Sequence, residues 1–372
     1  MKLRCERDSL LEALALAGRA GSGRPAGPGA LVGTRLGLTG DELEVTGSDQ
    51  DLTISTEVVV TGSGDGVVVA PGRLLTDIVR ALEPGAVVIQ GDDDELHVSG
   101  GRSEFMLRVY RAGDFPQPPP AHGGSVKLVT AGVAEALRQV VRAASSENYR
   151  PVLTGVLIAA EAGGIRLVAT DSYRLAVKDL PGAHHVLEED QRVLVPSRAL
   201  SELQRLLSGD AEAVEVHLGA HEVRFDVGQV RLIARLIEGE FPPYRQLIPF
   251  NYPNKLEIPR QSFLDAVQRV RLMAREPAAR EAPTPLRVTL RPDTVQLSVI
   301  TNEVGQAVEE VDAKYEGEDM TIAFNPQFLA DGIEAVVGDE VLLEAQDPVK
   351  PVTLKSSDRA DYLYLLMPVK VV

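Results

Sequence analysis

Tryptophan is absent from the 372 residues, aromatic side chains make up only 4% and cysteine occurs once. Without many rings, the hydrophobic cores must be built from Leu, Val, Ile and Ala, which the 44% hydrophobic fraction supplies. A single Cys5 excludes an internal disulfide, and in a strand it reads as a small buried hydrophobe. No run of about 18 apolar residues occurs, so no membrane-spanning helix is expected. The opening MKLRCERDSLLEALALAGRA scatters charges among its apolar residues and lacks the layout of a signal peptide. The chain is therefore expected in the cytoplasm. Positive charge is short as well: 38 Lys and Arg stand against 54 Asp and Glu, for a formal charge of −16. Taken as a sum, this argues against a nucleic-acid partner, because phosphate binding needs a basic surface.

Marks of catalysis are also scarce. GSGRPAGPG (Gly21 to Gly29) is glycine-rich but lacks the GxxxxGK[ST] pattern of a phosphate loop. Asp92, Asp93 and Asp94 lack the ligand spacing of a calcium loop and read as a solvated hairpin turn. The adjacent His184 and His185 cannot easily converge on one metal. No GxSxG occurs, and no pair of carboxylates forms a recognisable acid/base constellation. Asp171 in ATDSYR reads as a turn brace. We therefore expect no catalytic residues, no metal and no cofactor.

What the sequence does have is a threefold repeat. MKLRCERDSLLEALALAGRA, VKLVTAGVAEALRQVVRAAS from Val126 and NKLEIPRQSFLDAVQRVRLMA from Asn254 each run from a short strand into an amphipathic helix. Val133, Leu137, Val140 and Val141 keep the spacing of one helix face, as do Phe263, Leu264, Val267 and Val270. A second shared unit, strand, proline and helix, recurs at Pro71, Pro196 and Pro326 in VVVAPGRLLTDIVRAL, VLVPSRALSELQRLL and IAFNPQFLADGIEAV. Strand-rich stretches fill the remainder. VEVHLG, for example, places Val214, Val216 and Leu218 on one face and Glu215 and His217 on the other. Pro/Gly-rich DFPQPPPAHGG (Asp114 to Gly124) and IPFNYPN (Ile248 to Asn254) mark the joints. The expected domains are 1–120, 125–250 and 251–372. Each is α+β, with two helices packed on antiparallel sheets.

At this point the residues resemble a known family, the beta sliding clamps of bacterial DNA polymerase III. RPVLTGV (Arg150 to Val156), ATDSYRLAV (Ala169 to Val177), EGEFPPYRQLIP (Glu238 to Pro249), IAFNPQFLADGI (Ile322 to Ile333) and YLYLLMPVKVV (Tyr362 to Val372) are each similar to family signatures and occur in the right order over the whole chain. The resemblance implies a head-to-tail homodimer that closes a ring of six domains around duplex DNA and tethers the replicative polymerase. It also implies a clamp loader and other proteins bearing a clamp-binding motif as partners. Edge strands would pair across every domain junction. No enzymatic activity of its own is implied. The class left in competition is a hydrolytic, carbohydrate-active enzyme on a β-rich scaffold. The repeat separates the two, because a ring needs equal angular steps and an enzyme seldom does.

In this family the repeat's helices line the hole. The six helical stretches together carry +4 and the rest of the chain −20, the partition a ring around DNA requires. The resemblance makes Arg24, Arg73, Arg80, Arg138, Arg142, Arg150, Arg198, Arg205, Arg269 and Arg275, with Tyr149, the DNA contacts. Each is equally open to reading as a solvated helix residue. All would touch phosphate, since a sliding protein must ignore sequence. A partner-peptide pocket would comprise Leu153, Thr170, Ser172, Tyr173, Arg174, Leu175, Pro242, Leu247, Val349, Pro351, Leu365, Met367 and Pro368, with Arg174 orienting the peptide. Some of these would serve equally as core. Ser172-Tyr173 stands where many members have Gly-His, and Gln246 where many have a base, which leaves open a specialised paralogue. Phe105 and Leu107 would meet Leu272 and Met273 of a second copy at the dimer interface.

Overall fold

The computed structural model describes residues 1–21, 32–116, 125–161, 163–183, 185–209, 211–274, 284–301 and 305–370. Among them, the six long helices stand where the apolar spacing puts them. They are α1 (Arg7–Gly21), α2 (Gly72–Ala81), α3 (Thr130–Val140), α4 (Ser197–Leu206), α5 (Arg260–Val270) and α6 (Pro326–Ala335). In α1 the buried residues are Leu10, Ala13, Leu14, Ala17 and Ala20, a single stripe at three- and four-residue steps. The three repeat prolines all mark helix starts. Pro71 is the N-cap of α2, Pro196 directly precedes α4, and Pro326 is the first residue of α6. A fixed φ and a missing N–H cost nothing at that position. At α6 the Asn325 side chain adds a cap, accepting from the N–H groups of Gln327 (2.9 Å) and Phe328 (3.3 Å).

The sequence spacing carries the third and fifth helices further than the structure does. Both stop one turn early and tighten into 3-10 turns, Val141–Ala143 and Arg271–Ala274. The tighter turn satisfies end carbonyls that a plain α-helix would leave open, as when Ala144 N–H reaches the Val141 carbonyl at 3.2 Å.

Every strand pair is antiparallel, and the chain gathers into two compact units. The first unit holds residues 1–131 and 198–236. Its five-stranded sheet runs Thr61–Gly62, Lys2–Glu6, Ala86–Gly91, Glu95–Gly100, Ser103–Arg108. Its eight-stranded sheet runs Ser125–Val129, Ala213–Leu218, Glu222–Val227, Val230–Arg235, Leu52–Val59, Glu42–Ser48, Gly33–Thr39, Gly66–Pro71. Helix α1 lies on Glu42–Ser48 and Leu52–Val59 and packs against α2. The approach is close enough to demand glycine at one point: a Cβ on Gly47 would sit 2.0 Å from the Ala17 carbonyl oxygen. Leu10, Leu14, Leu36, Leu43, Leu75, Ile89 and Val98 fill the core between them, with Cys5 among them as a buried small hydrophobe. Burial pushes the Cys5 thiol up to about 11, so it is inert at neutral pH.

The second unit holds residues 132–197 and 237–372. Its nine-stranded sheet runs Arg192–Pro196, Gly155–Glu161, Gly164–Thr170, Arg174–Pro181, Tyr362–Leu366, Val352–Ser356, Glu340–Ala345, Asn254–Pro259, Lys314–Glu316. A four-stranded sheet runs Gly305–Asp312, Thr294–Thr301, Leu286–Leu290, Met320–Phe324, and α5 packs against α6.

In each unit, one strand pair joins two different repeats. Val230–Arg235 pairs with Leu52–Val59, placing Leu232 opposite Ile54. Arg174–Pro181 pairs with Tyr362–Leu366, placing Ala176 opposite Tyr364. No described helix is long and apolar enough to cross a membrane.

Candidate functional site

The described arginines among those singled out in the sequence lie on or next to helices, but most are already engaged. Arg73 is exposed on α2 and makes no ion pair with a described residue. Arg80, one helical turn from Asp77, shares an ion pair with it at 2.7 Å. Arg138 Nη1 donates to the Glu334 carbonyl oxygen at 2.9 Å, and Arg142 pairs with the Glu334 carboxylate. That contact raises the Arg142 pKa and lowers that of Glu334. Arg205 pairs with Glu202, and Arg269 with Glu309. The Arg80–Asp77 and Arg142–Glu334 pairs are open to solvent, so a phosphate can exchange with the carboxylate cheaply, whereas the Glu202 partner of Arg205 is buried. Arg198 is different. Its guanidinium pairs with the buried Asp49 and donates to the carbonyls of Arg19 (3.2 Å) and Ala20 at the C-terminus of α1. Arg198 is thus a brace that caps a helix end, with 36% of its side chain still exposed. Arg24 and Arg275 lie outside the described residues.

Tyr149 and Arg150 stand exposed together, the guanidinium 5.5 Å from the ring centroid, and Arg150 Nη1 donates to Ser172 Oγ at 3.1 Å. That bond leads to the tightest turn of the proposed partner pocket. Thr170 Oγ1 accepts from Ser172 N–H at 3.1 Å and donates to the Arg174 carbonyl at 2.6 Å. Asp171 Oδ1 accepts from the N–H groups of Tyr173 (2.9 Å) and Arg174 (3.0 Å), the bracing its sequence context suggested. The turn holds Ser172 at φ 77°, a left-handed conformation that favours glycine. Ser172→Gly is accordingly expected to raise stability by up to about 1 kcal/mol, and Ser172→Val to lower it, in urea unfolding. Equal midpoints for the two variants would show that the turn carries no strain.

Beyond the turn, the pocket residues sort into floor and rim. Leu175 and Leu365 lie opposite each other across paired strands and share one buried cluster with Leu157, Val177 and Tyr244. Leu153 and Thr170 are buried too. Tyr173, Leu247, Val349 and Met367 are exposed large hydrophobics, Ser172 is exposed, and Pro242, Pro351 and Pro368 are half-buried. Arg174 belongs to neither group. It is 9% exposed; Nε donates to Asp171 Oδ2 at 2.9 Å, Nη1 reaches Asp331, and the guanidinium lies 4.2 Å from the Phe328 ring centroid. Burial opposes its charge, but Tyr364, Asp331 and Asp171 outweigh burial and raise its pKa. Arg174 is thus held in place by Asp171, Asp331 and the Phe328 ring, the latter two distant in sequence.

The comparison with known proteins now bears on these features. The N-terminal, central and C-terminal domain models of the DNA polymerase III beta subunit match residues 1–119, 127–243 and 245–370. The chain belongs to this family. The beta sliding clamp of Streptomyces coelicolor is 34% identical over the full length of both chains. The solved DNA polymerase sliding clamp of Bacillus subtilis superposes with a TM-score of 0.90 at 27% identity, covering both chains entirely. A DnaN sliding clamp from Bartonella birtlesii, solved bound to griselimycin, gives 0.90 at 28%, again over all of both chains. Three clamp domains of α+β type thus make up the chain, and its role is that of a DNA clamp for polymerase processivity.

For a sliding clamp the free sheet edges matter next. In the first unit the five-stranded sheet ends at Ser103–Arg108, with Phe105 and Met106 exposed between Arg102 and Arg108. Leu107, two residues from Phe105 on the same strand face, is 5% exposed and belongs to the first core, whereas Phe105 is 37% exposed. In the second unit the four-stranded sheet ends at Gly305–Asp312, with Val308 exposed beside Glu309 and Glu310. Leu272 is 62% exposed and Met273 half-buried on the adjoining 3-10 turn.

Among the described residues one trio has ligand atoms close enough for a metal: Glu215, His217 and Asp226. Asp226 already accepts from Arg224 at 2.7 Å and faces Arg231 at 3.6 Å, which cancels the negative charge a divalent cation requires. Asp92 is a turn residue whose side chain accepts from the N–H groups of Asp94 (3.0 Å) and Glu95 (2.9 Å), and those bonds lower its pKa. His184 lies outside the described residues.

Sequence reasoning missed a charged network in the second unit. Lys178, 2% exposed, donates to Glu135 at 2.9 Å and to Asp361 at 2.7 Å, and Arg359 bonds the same two carboxylates. A lysine directly after the apolar run Leu175–Val177 of the strand was the available signal.

Proposed function

We propose that this clamp works as a head-to-tail homodimer whose ring encircles duplex DNA without catalysing any reaction. Its three domains would be residues 1–120, 125–250 and 251–372, and a separate ATP-driven loader would open the ring. The observation that carries this reading is the threefold repeat: three helix pairs collect arginine while the remainder of the chain carries −20. An acidic exterior repels stray duplex, so DNA is favoured only where the helices face it. Arg73, Arg80, Arg138, Arg142, Arg150, Arg198, Arg205 and Arg269, with Tyr149, would make weak phosphate contacts, joined by Arg24 and Arg275. The exposed edges Ser103–Arg108 and Gly305–Asp312 would pair between copies, with Phe105 and Leu107 meeting Leu272 and Met273 at the apolar centre and arginines facing carboxylates at the rim. Replicative polymerase, loader and other partners would insert a short peptide over the Leu175–Leu365 floor. Such a protein would act in the cytoplasm.

The test is retention on a nicked circle after loading, before and after the circle is cut. Electrostatic binding fails steeply with salt in either form, because counterion release controls it. A ring is expected to survive high salt on the circle and to be lost once the DNA is linear. Equal loss from both forms, with an active loader, would end this proposal.

A further inference from the structure

One large apolar side chain stands apart from everything described so far. Phe250 is 99% exposed, in a chain with only eight phenylalanines. Its setting shows that this is not a loose end. On one side Ile248 packs against the cluster that contains Leu175 and Leu365. On the other, Asn251 offers its carbonyl to Gln346 Nε2 at 2.7 Å, and the buried Asn254 donates to the carbonyls of Ala345 (3.3 Å) and Gln346 (3.0 Å). Pro249 and Pro253 stiffen the stretch between these anchors. The loop is held at both ends, with the Phe250 ring in water between them.

Its neighbours say what the ring faces. Leu247, exposed on the pocket rim, is three residues upstream, within about 11 Å along the chain. Asn251 and Asn254 tie the loop to residues 345 and 346, which lead directly into the Asp347 turn that carries exposed Val349. Leu247 and Phe250 thus stand on one loop and Val349 just beyond a second loop hydrogen-bonded to it, and all three are exposed. An isolated exposed aromatic needs no explanation; a preorganised one continuous with an apolar rim does.

We infer that Phe250 extends the pocket into a further subsite, which takes an apolar side chain of the partner's linear peptide lying just outside the segment over the Leu175–Leu365 floor. This rests on the pocket reading given above. A ring fixed by its backbone is a low-entropy anchor, and stacking or edge contact with an aliphatic or aromatic residue would desolvate it. The subsite would favour partners with an apolar flanking residue over those with a charged one.

The experiment measures binding of the purified replicative polymerase subunit of the same organism to immobilised clamp. Phe250→Ala is expected to weaken binding about tenfold, mostly through faster dissociation. Its thermal midpoint should not change, because the side chain is in solvent. Leu247→Asp, which strikes the rim itself, is expected to weaken binding more than a hundredfold. Loss with Leu247→Asp, but Phe250→Ala within twofold of the parent, would overturn the subsite and leave the pocket standing. No loss in either variant would remove the pocket and the subsite with it. A change in solution mass caused by Phe250→Ala, with polymerase affinity unaltered, would assign the ring to self-association and overturn the inference.

Discussion

Lys178→Ala is expected to destabilise the second unit by about 3 kcal/mol, the lower end of the range for breaking a buried ion pair by removing one partner. Lys178 Nζ is 2.9 Å from Glu135 and 2.7 Å from Asp361, and it has almost no access to water. Alanine leaves two carboxylates close together with only the half-exposed Arg359 between them. The effect should register as a lower unfolding midpoint and as faster amide exchange along Arg174–Pro181. The same network sets an acid limit. Burial pushes the Glu135 and Asp361 carboxyls up, but Lys178 and Arg359 outweigh it, and both pKa values fall below the ordinary 4.5 and 3.8. Their contribution is therefore complete above the unfolded-state values and lost as pH falls through the lower folded ones. Removing Lys178 should flatten that acid limb. Parental stability in Lys178→Ala, with an unchanged acid limb, would show that the network contributes nothing.

Gly47→Ala should be among the most damaging single-methyl changes in the first unit. The added Cβ would lie 2.0 Å from the Ala17 carbonyl oxygen, and neither side of that contact is a side chain that can rotate away. Helix α1 would have to lift off its strands. The cost is expected near 3 kcal/mol, the upper part of the overpacking range. Gly18→Ala is the matched control on the same helix: nothing lies within 4 Å of its Cβ, and alanine should add about 0.5–1 kcal/mol. Thermal unfolding of the two variants should move in opposite directions. If Gly47→Ala melts with the parent, the close approach of helix to sheet is wrong.

The contrast between what was legible and what was not follows from distance along the chain. Helix starts at Pro71, Pro196 and Pro326 and the buried stripe Leu10–Leu14–Ala17 depend on residues a turn or two apart, and spacing displays them directly. So does the turn at Asp171, whose partners are Tyr173 and Arg174. What an arginine does once folded depends on a carboxylate brought from elsewhere. Asp49 claims Arg198, Glu334 claims Arg142, and Asp331 claims Arg174, across separations of more than a hundred residues. No local pattern announces such pairs. Leu107 and Phe105 differ for a subtler reason: alternation puts both on one strand face but does not show how far the core extends beneath that face. The exposure of Phe250 was equally hidden, since an aromatic between prolines reads as well for a buried anchor as for a bare one.

Two strand pairs described earlier join different repeats, Leu52–Val59 with Val230–Arg235 and Arg174–Pro181 with Tyr362–Leu366. The stretch that was duplicated is therefore not the stretch that folds. A fragment cut at a repeat joint would expose one of these strands along its whole length, with unpaired N–H and C=O groups beside alternating apolar side chains such as Ile54 and Leu232. Such an edge would pair with whatever strand it met, including its own copies. Fragments meant to isolate one domain should precipitate or associate, whereas two fragments that together supply both partners of a strand pair should rescue each other's solubility. Duplication multiplied a part; antiparallel pairing made the copies mutually dependent.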